Sequence, residues 1–255
     1  MPEWIAPLAV LFGGGASAAA LAYGGQAVLT RGAAPGRNEA VAVYLALAAA
    51  LLGTYLAFIT VSVWGTRSDA ELSARLEAAD LWVLMQLTQA QPEAQRRAVQ
   101  GLVLDYTRSI VNKDWPALAT GGAEHSFRRS PELDRIWAAL LAPQATESSF
   151  TSAAVDRLSS LAAARERRLL ASTTSLSPYI WFTLAAGTFV NLMLLMLLRA
   201  EEKCLHALLV GSCAGLTLMV LWGIYDMQTP YVGAWSVTAE PFMQVESQMK
   251  ERMSR

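Results

Sequence analysis

The chain has 255 residues, 54% of them hydrophobic and only 16% charged, against about 25% charged in an average soluble domain. A mean hydropathy of +0.32 and a net charge of −1 exclude a disordered chain and a charge-driven nucleic-acid binder, so no nucleic-acid partner is expected. Two cysteines exclude a disulfide scaffold, and two histidines leave little for metal or acid–base chemistry.

The charges are unevenly spread. Trp4–Thr30, Ala40–Thr66, Leu169–Leu198 and Cys204–Tyr225 contain no Asp, Glu, Lys or Arg. Each window reaches or exceeds the ~20 residues that cross a hydrocarbon core of ~30 Å. Four such windows predict an all-α integral membrane protein with four spans, and the lipid bilayer as its surroundings. Trp4, Trp64, Tyr179, Trp181, Trp222 and Tyr225 lie near the proposed ends, as interfacial aromatics do.

The first span covers about 5–29. Its flank carries Glu3 and no basic residue, and its apolar stretch exceeds a signal-peptide core, so it reads as a retained helix. Gly13/Ser17, Gly14/Ala18 and Ala20/Gly24 have the spacing that lets helix backbones approach in lipid. Ala49, Gly53 and Ala57 repeat it in the second span, about 40–64. Packing of spans one and two on each other and an oligomer contact both fit.

The layout is an N-terminal transmembrane hairpin (1–66), a helical extramembrane region (67–175), a C-terminal hairpin (176–226, spans about 177–198 and 204–225) and a tail (227–255). An even number of spans puts both termini and the middle region on one side. Arg31, Arg37, Arg199 and Lys203 in the short loops nearly balance Arg67, Arg165, Arg167 and Arg168 on the other side. The reading places the middle region on the cytoplasmic side.

The middle region is predicted helical. Over Asp69–Ala90, Leu72, Leu76, Ala79, Val83 and Leu87 recur at steps of three and four and form the expected buried face. Pro92 and Glu93 suit a helix start, and Val99, Leu102, Val103, Tyr106 and Ile110 follow. Gly121-Gly122 marks a break. Ser130-Pro131-Glu132 reads as an N-cap with proline at N1, opening a helix to about Leu141. A long helix from about Thr146 carries Phe150, Ala154, Leu158, Leu161 and Leu169. It meets Pro178, which either bends it or starts span three afresh. Basic and acidic residues balance across 67–175.

No enzyme chemistry is legible: no catalytic residue, cofactor site or metal site is expected. His125 beside Glu124, and His206 at the start of span four, give no nucleophile–His–acid arrangement. Cys204 and Cys213 lack metal-ligand spacing, and the glycine-rich first span lacks the Gly-Lys-Ser/Thr of a phosphate loop. Asp114 and Glu124 form a carboxylate pair of the kind any helical protein offers. Asn191 in mid-span three either lines a pore or ties two helices together. No span carries a charge at mid-depth, which argues against a proton relay or a voltage sensor but not against a passive pore. Tyr55, Ile59 and Val63 share one face of span two; the stripe is either a candidate pore lining or a packing face.

An ordered series of motifs resembles the bestrophin-like family of bacterial membrane proteins. It begins with Trp64, Asp69-Ala70 and Glu77-Ala78, then Tyr106 and Val111-Asn112-Lys113-Asp114-Trp115-Pro116 ahead of Gly121. Leu158, Leu161, Arg165-Glu166-Arg167-Arg168-Leu169 and Pro178 follow. It ends with Pro230-Tyr231-Val232-Gly233 and Ser236-Val237-Thr238-Ala239-Glu240-Pro241-Phe242. The chain departs from the family pattern in the spacing of Asp226 to Pro230 and at Tyr231, Val232 and Ala239. The resemblance covers about 38–245.

Bestrophins proper are homopentameric anion channels with four spans, a helical cytoplasmic region and a pore lined mainly by span two. The resemblance thus implies a homo-oligomeric, channel-like protein, with further copies of itself as its expected partners, in a bacterial inner membrane. The alternative is an accessory or assembly subunit docked on other membrane protein subunits. Trp115-Pro116 reads as a helix end with its ring between helices. Arg165, Arg167 and Arg168 either pair with Glu77 or Asp80 or meet lipid phosphates. The segment Pro230–Phe242 is expected to fold back over the helical region.

Overall fold

The computed structural model describes residues 5–29, 37–120, 130–141, 148–199 and 201–254. Among them there is no strand. The helices are α1 (Ile5–Leu29), α2 (Arg37–Leu87), α3 (Glu93–Ser109), α4 (Trp115–Ala119), α5 (Pro131–Leu140), α6 (Ser148–Thr173), α7 (Pro178–Leu197), α8 (Lys203–Met227) and α9 (Glu240–Ser254). Four of them, α1, α2, α7 and α8, are long and apolar enough to cross a membrane. Trp4, Gly121-Gly122, Glu124, His125 and the loop Arg31–Gly36 lie outside the described residues.

The chain forms two compact units. The membrane unit comprises residues 1–64 and 175–228, and the extramembrane unit 65–174 and 229–255. Helix α2 contributes to both. Its 51 residues make about 77 Å of helix, more than twice the hydrocarbon thickness. The helical stretch expected over Asp69–Ala90 is therefore largely a continuation of span two. Gly65 does not break it, and Arg67 and Arg75 each pair with Glu71 one turn away across the polar stretch.

In the membrane unit, α1 packs against α8, not against span two. A Cβ on Gly15 would stand 2.7 Å from the Gly211 carbonyl oxygen, and one on Gly215 would stand 2.5 Å from that of Leu11. Only glycine allows so close a backbone approach. Ala18 and Ala22 close the seam with Val210 and Ala214. The signal in the sequence was the Gly-x-x-x-Gly of Gly211 and Gly215. Gly13, Gly24 and Gly53 face open space.

The start of α7 settles the role of Pro178. It opens a new helix, with the Ser177 hydroxyl accepting from the Tyr179 N–H at 3.3 Å. Asn191 donates to the Gly187 carbonyl of its own helix. Ser212 and Thr217 bond back in the same way.

The extramembrane unit has one core. From α6 it takes Phe150, Ala154, Leu158, Leu161 and Leu169, from α3 Val99, Val103 and Tyr106, and from α5 Ile136 and Leu140. Ser130 caps α5 as expected, accepting from the Leu133 N–H. The α2 face turned to this core differs from the expected one. Ala70, Ala74, Ala78, Leu81 and Met85 are buried, together with Ser73, Glu77 and Asp80, whereas Leu72 is 55% exposed. Alanines allow close helix approach, and the buried carboxylates have cations waiting on α6, so a semi-polar face is the inner one. The tail adds α9, which buries Phe242 and Met249.

Candidate functional site

Of the quoted motif residues, Glu77, Tyr106, Asp114, Trp115, Arg165, Tyr231 and Phe242 come together in the extramembrane unit around Arg168, whereas Trp64 and Pro178 belong to the membrane unit. Its Nε donates to Glu77 Oε2 at 2.6 Å and its Nη2 to Glu77 Oε1 at 3.2 Å, a two-pronged grip between α6 and α2. Both side chains are 0% exposed. The Tyr106 hydroxyl of α3 donates to Glu77 Oε1 at 2.7 Å. Asp114 Oδ2 lies 3.7 Å from Arg168 Nη2 and 4.0 Å from Arg165 Nη2. Asp80 pairs with Arg157 rather than with the Arg165–Arg168 group, and Arg167 is exposed.

Aromatic rings close the cluster. The Arg168 guanidinium carbon stands 5.5 Å from the centre of the Trp115 ring and 5.7 Å from that of Phe242, in cation–π range. Trp115 also meets Tyr231 edge-on at 5.4 Å. The tail segment is tied on by three bonds: Tyr231 Oη donates to the Arg168 carbonyl at 3.2 Å, Trp115 Nε1 to the Val237 carbonyl at 3.3 Å, and Arg67 Nε to the Trp235 carbonyl at 2.6 Å. Pro230 is buried and its carbonyl accepts from the Val237 N–H at 2.7 Å. Gly233 turns this loop with φ of 105°, a left-handed conformation suited to glycine. Pro241 lies in the first turn of α9, just ahead of the buried Phe242.

Trp115-Pro116 does not end a helix. Between α3 and α4 the chain makes a π turn, Ile110–Asp114, in which the Trp115 N–H reaches the Ile110 carbonyl five residues back. Proline lacks an N–H and crowds the carbonyl four residues before it. A wider turn relieves that crowding, lets the helix continue, and aims Asp114 and Trp115 together at Arg168.

Burial raises the Asp114 pKa, outweighing the opposing pull of Arg168 and Arg165. Burial also raises Tyr106, assisted by the Glu77 charge, which keeps its hydroxyl a proton donor. For Arg168, burial works to lower the pKa, but the Glu77 carboxylate prevails and the net shift is upward. Burial raises Tyr231 too. The cluster is thus a buried set of paired charges, in which Arg168 bonds through Nε and Nη2 while its Nη1 has no hydrogen-bond partner. It holds α2, α3, α6 and the tail in register, with no nucleophile in it.

In the membrane unit, α2 has two distinct faces. Tyr55, Ile59 and Val63, the expected pore-lining stripe, lie on the face that packs within the chain. Val63 is 4% exposed and clusters with Ile224 and Met227, Ile59 packs on that cluster, and the Tyr55 hydroxyl lies 3.3 Å from the Thr183 hydroxyl. These side chains meet partners within the chain itself. The opposite face carries Gly53, Ala57, Phe58 and Val61, all exposed. Trp64 is exposed as well. Cys204 and Cys213 are exposed free thiols, and among the described residues no group of acidic, His or Cys side chains could hold a metal.

Four apolar helices joined to a helical unit with a buried arginine–carboxylate core define an all-α, multi-pass membrane protein. A family model described as the Bestrophin-like domain matches residues 15–242. The chain belongs to the bestrophin-like family. Among solved structures it is similar to a variant of a membrane protein, with a TM-score of 0.71 at 11% identity, covering 98% of this chain and 100% of that one. It is also similar to a variant of a bacterial bestrophin homolog from Klebsiella pneumoniae, with a TM-score of 0.63 at 10% identity, covering 94% of this chain and 98% of that one. At such identity the likeness is one of fold. No curated protein sequence matches.

Proposed function

We propose that the chain is one subunit of a homo-oligomeric, bestrophin-type channel of a bacterial inner membrane, passing anions along an axis lined by the exposed face of α2. The observation that carries this reading is the two-faced second span. One face is consumed by packing on α7 and α8 through Tyr55, Ile59 and Val63. The other is uncharged and presents Gly53, Ala57 and Val61 at helical spacing, with Phe58 71% exposed beside them.

Small residues let copies of α2 approach a common axis. Phe58 and Val61 supply apolar side chains for a constriction of the kind that gates by dewetting. Helix dipoles and backbone amides, in place of charged side chains, act on the passing ion. The reading puts the extramembrane unit and both termini on the cytoplasmic side, and the Arg168 cluster holds that unit's helices and tail as one body.

The test is the native mass of the complex extracted in mild detergent, followed by anion efflux from liposomes. A closed assembly of this chain alone that supports efflux, lost in Val61→Glu, is the expected result. Stoichiometric association with unrelated subunits and no efflux would establish the accessory-subunit reading instead.

A further inference from the structure

In the extramembrane unit, the last turns of α2, the start of α3 and the end of α9 enclose an open cleft of about 980 Å³. Its walls are predominantly polar, and three guanidinium groups reach it: Arg96 and Arg97 from α3 and Arg252 from α9. They outnumber the carboxylates there, Glu93 and Glu251. Their pairing is incomplete. Arg97 bonds to Glu93, and Arg252 lies over the Trp82 ring at 5.6 Å. Arg96 has no ion-pair partner among the described residues and is half-buried at the cleft wall.

The local sequence keeps this cation unspent. Pro92 occupies the N-cap position of α3 and has no side-chain acceptor, so the first-turn N–H groups receive no side-chain cap. That adds the positive end of a 17-residue helix to the same wall. Gln100, buried by its bond to Thr88 at 2.9 Å, braces the floor. A cleft of this size with guanidiniums on two opposing helices fits a ligand with two or more anionic groups, because each guanidinium takes a phosphate or carboxylate by a planar, two-pronged bond.

We propose that this cleft binds a small polyvalent oxyanion, a molecule bearing two or more phosphate or carboxylate groups, bridged between Arg96 on α3 and Arg252 on α9. Bound there, the ligand clamps α9 onto the start of α3, so occupancy sets how firmly the tail is held. Binding is read without any ion flux, so its failure is separate from failure of the channel reading.

The experiment is isothermal titration of the full chain in mild detergent with inorganic pyrophosphate, at low and at raised salt. Wild type is expected to bind, more weakly as salt screens the guanidiniums. Arg96→Gln and Arg252→Gln are each expected to weaken binding by about tenfold or more, as for loss of one charge-assisted bond. Arg96→Lys, which keeps the charge, recovers part of the loss. Both positions are on helix surfaces, and unchanged circular dichroism verifies the fold. A parallel arm replaces pyrophosphate by vesicles containing an anionic phospholipid. No binding of pyrophosphate, equal binding by the Gln variants, or a response to vesicles alone would each overturn the proposal, the last in favour of a lipid headgroup.

Discussion

In the membrane unit, α1 and α8 meet backbone to backbone at Gly15, Gly211 and Gly215. In the extramembrane unit, α2, α3 and α6 meet through side chains, with Glu77, Arg168 and Tyr106 bonded at the centre and Trp115 and Phe242 packed around them. The difference follows from the surroundings. Lipid tails are as apolar as leucine, so helices gain little by burying large side chains and associate through close packing of small ones. Outside the bilayer, burial itself drives association, and a buried ion pair holds only if every partner is present. The two units should therefore break in different ways.

The largest effect is expected at Arg168. Arg168→Ala leaves Glu77 charged and buried with only Tyr106 beside it, a loss of about 3–5 kcal/mol read by chemical unfolding. A loss no larger than that of an exposed ion pair, about 1 kcal/mol or less, would contradict the central role of the cluster. Next comes Gly211→Val. Its new side chain collides with the Gly15 carbonyl and Ala19, and overpacking of this kind costs about 1–3 kcal/mol. By contrast, Gly13→Ala, at a position that faces open space, leaves α1 unharmed or steadier by up to about 1 kcal/mol. Equal sensitivity at the two glycines would erase the distinction.

Trp115→Phe is expected to cost about 1 kcal/mol. It keeps most of the ring but loses the bond to Val237, so the tail is expected to become more open to limited proteolysis. The smallest effect is a pH slope. Because burial raises the Asp114 pKa, its contribution is fully present below the unfolded value and is lost as pH rises through the folded one. Asp114→Asn removes that slope, so melting temperatures of variant and wild type should diverge in favour of the variant as pH rises from about 4. Parallel curves would show that Asp114 titrates alike in both states.

Much of this architecture is legible locally. Charge-free windows mark the apolar helices, Ser130-Pro131 marks the start of α5, and Phe150, Ala154, Leu158, Leu161 and Leu169 mark the inner face of α6. Where the sequence misleads, the deciding interaction is distant. Periodicity selects Leu72 and Leu76 as the inner face of α2. The inner face instead holds Glu77, whose partner Arg168 lies on another helix and compensates its burial. The partner of span one was hidden for the same reason, since its glycines match equally well to span two or to Gly211 and Gly215. The π turn before Trp115 leaves no local signal beyond a proline where a helix would be expected to end. The motif series drew attention to Glu77, Asp114, Trp115, Arg165, Arg168 and Phe242. Their convergence on one guanidinium is a property of the folded chain.

The most direct test of the account concerns the two faces of α2. Ala57→Cys and Ile59→Cys, each made in a chain with Cys204 and Cys213 replaced by serine, are reconstituted in liposomes and treated with a membrane-impermeant thiol reagent during anion efflux. The account predicts block at position 57 and none at position 59, since Ala57 is exposed and Ile59 packs on the cluster of Val63, Ile224 and Met227. Block at 59 without block at 57 would contradict it, as would an absence of efflux from the unmodified protein.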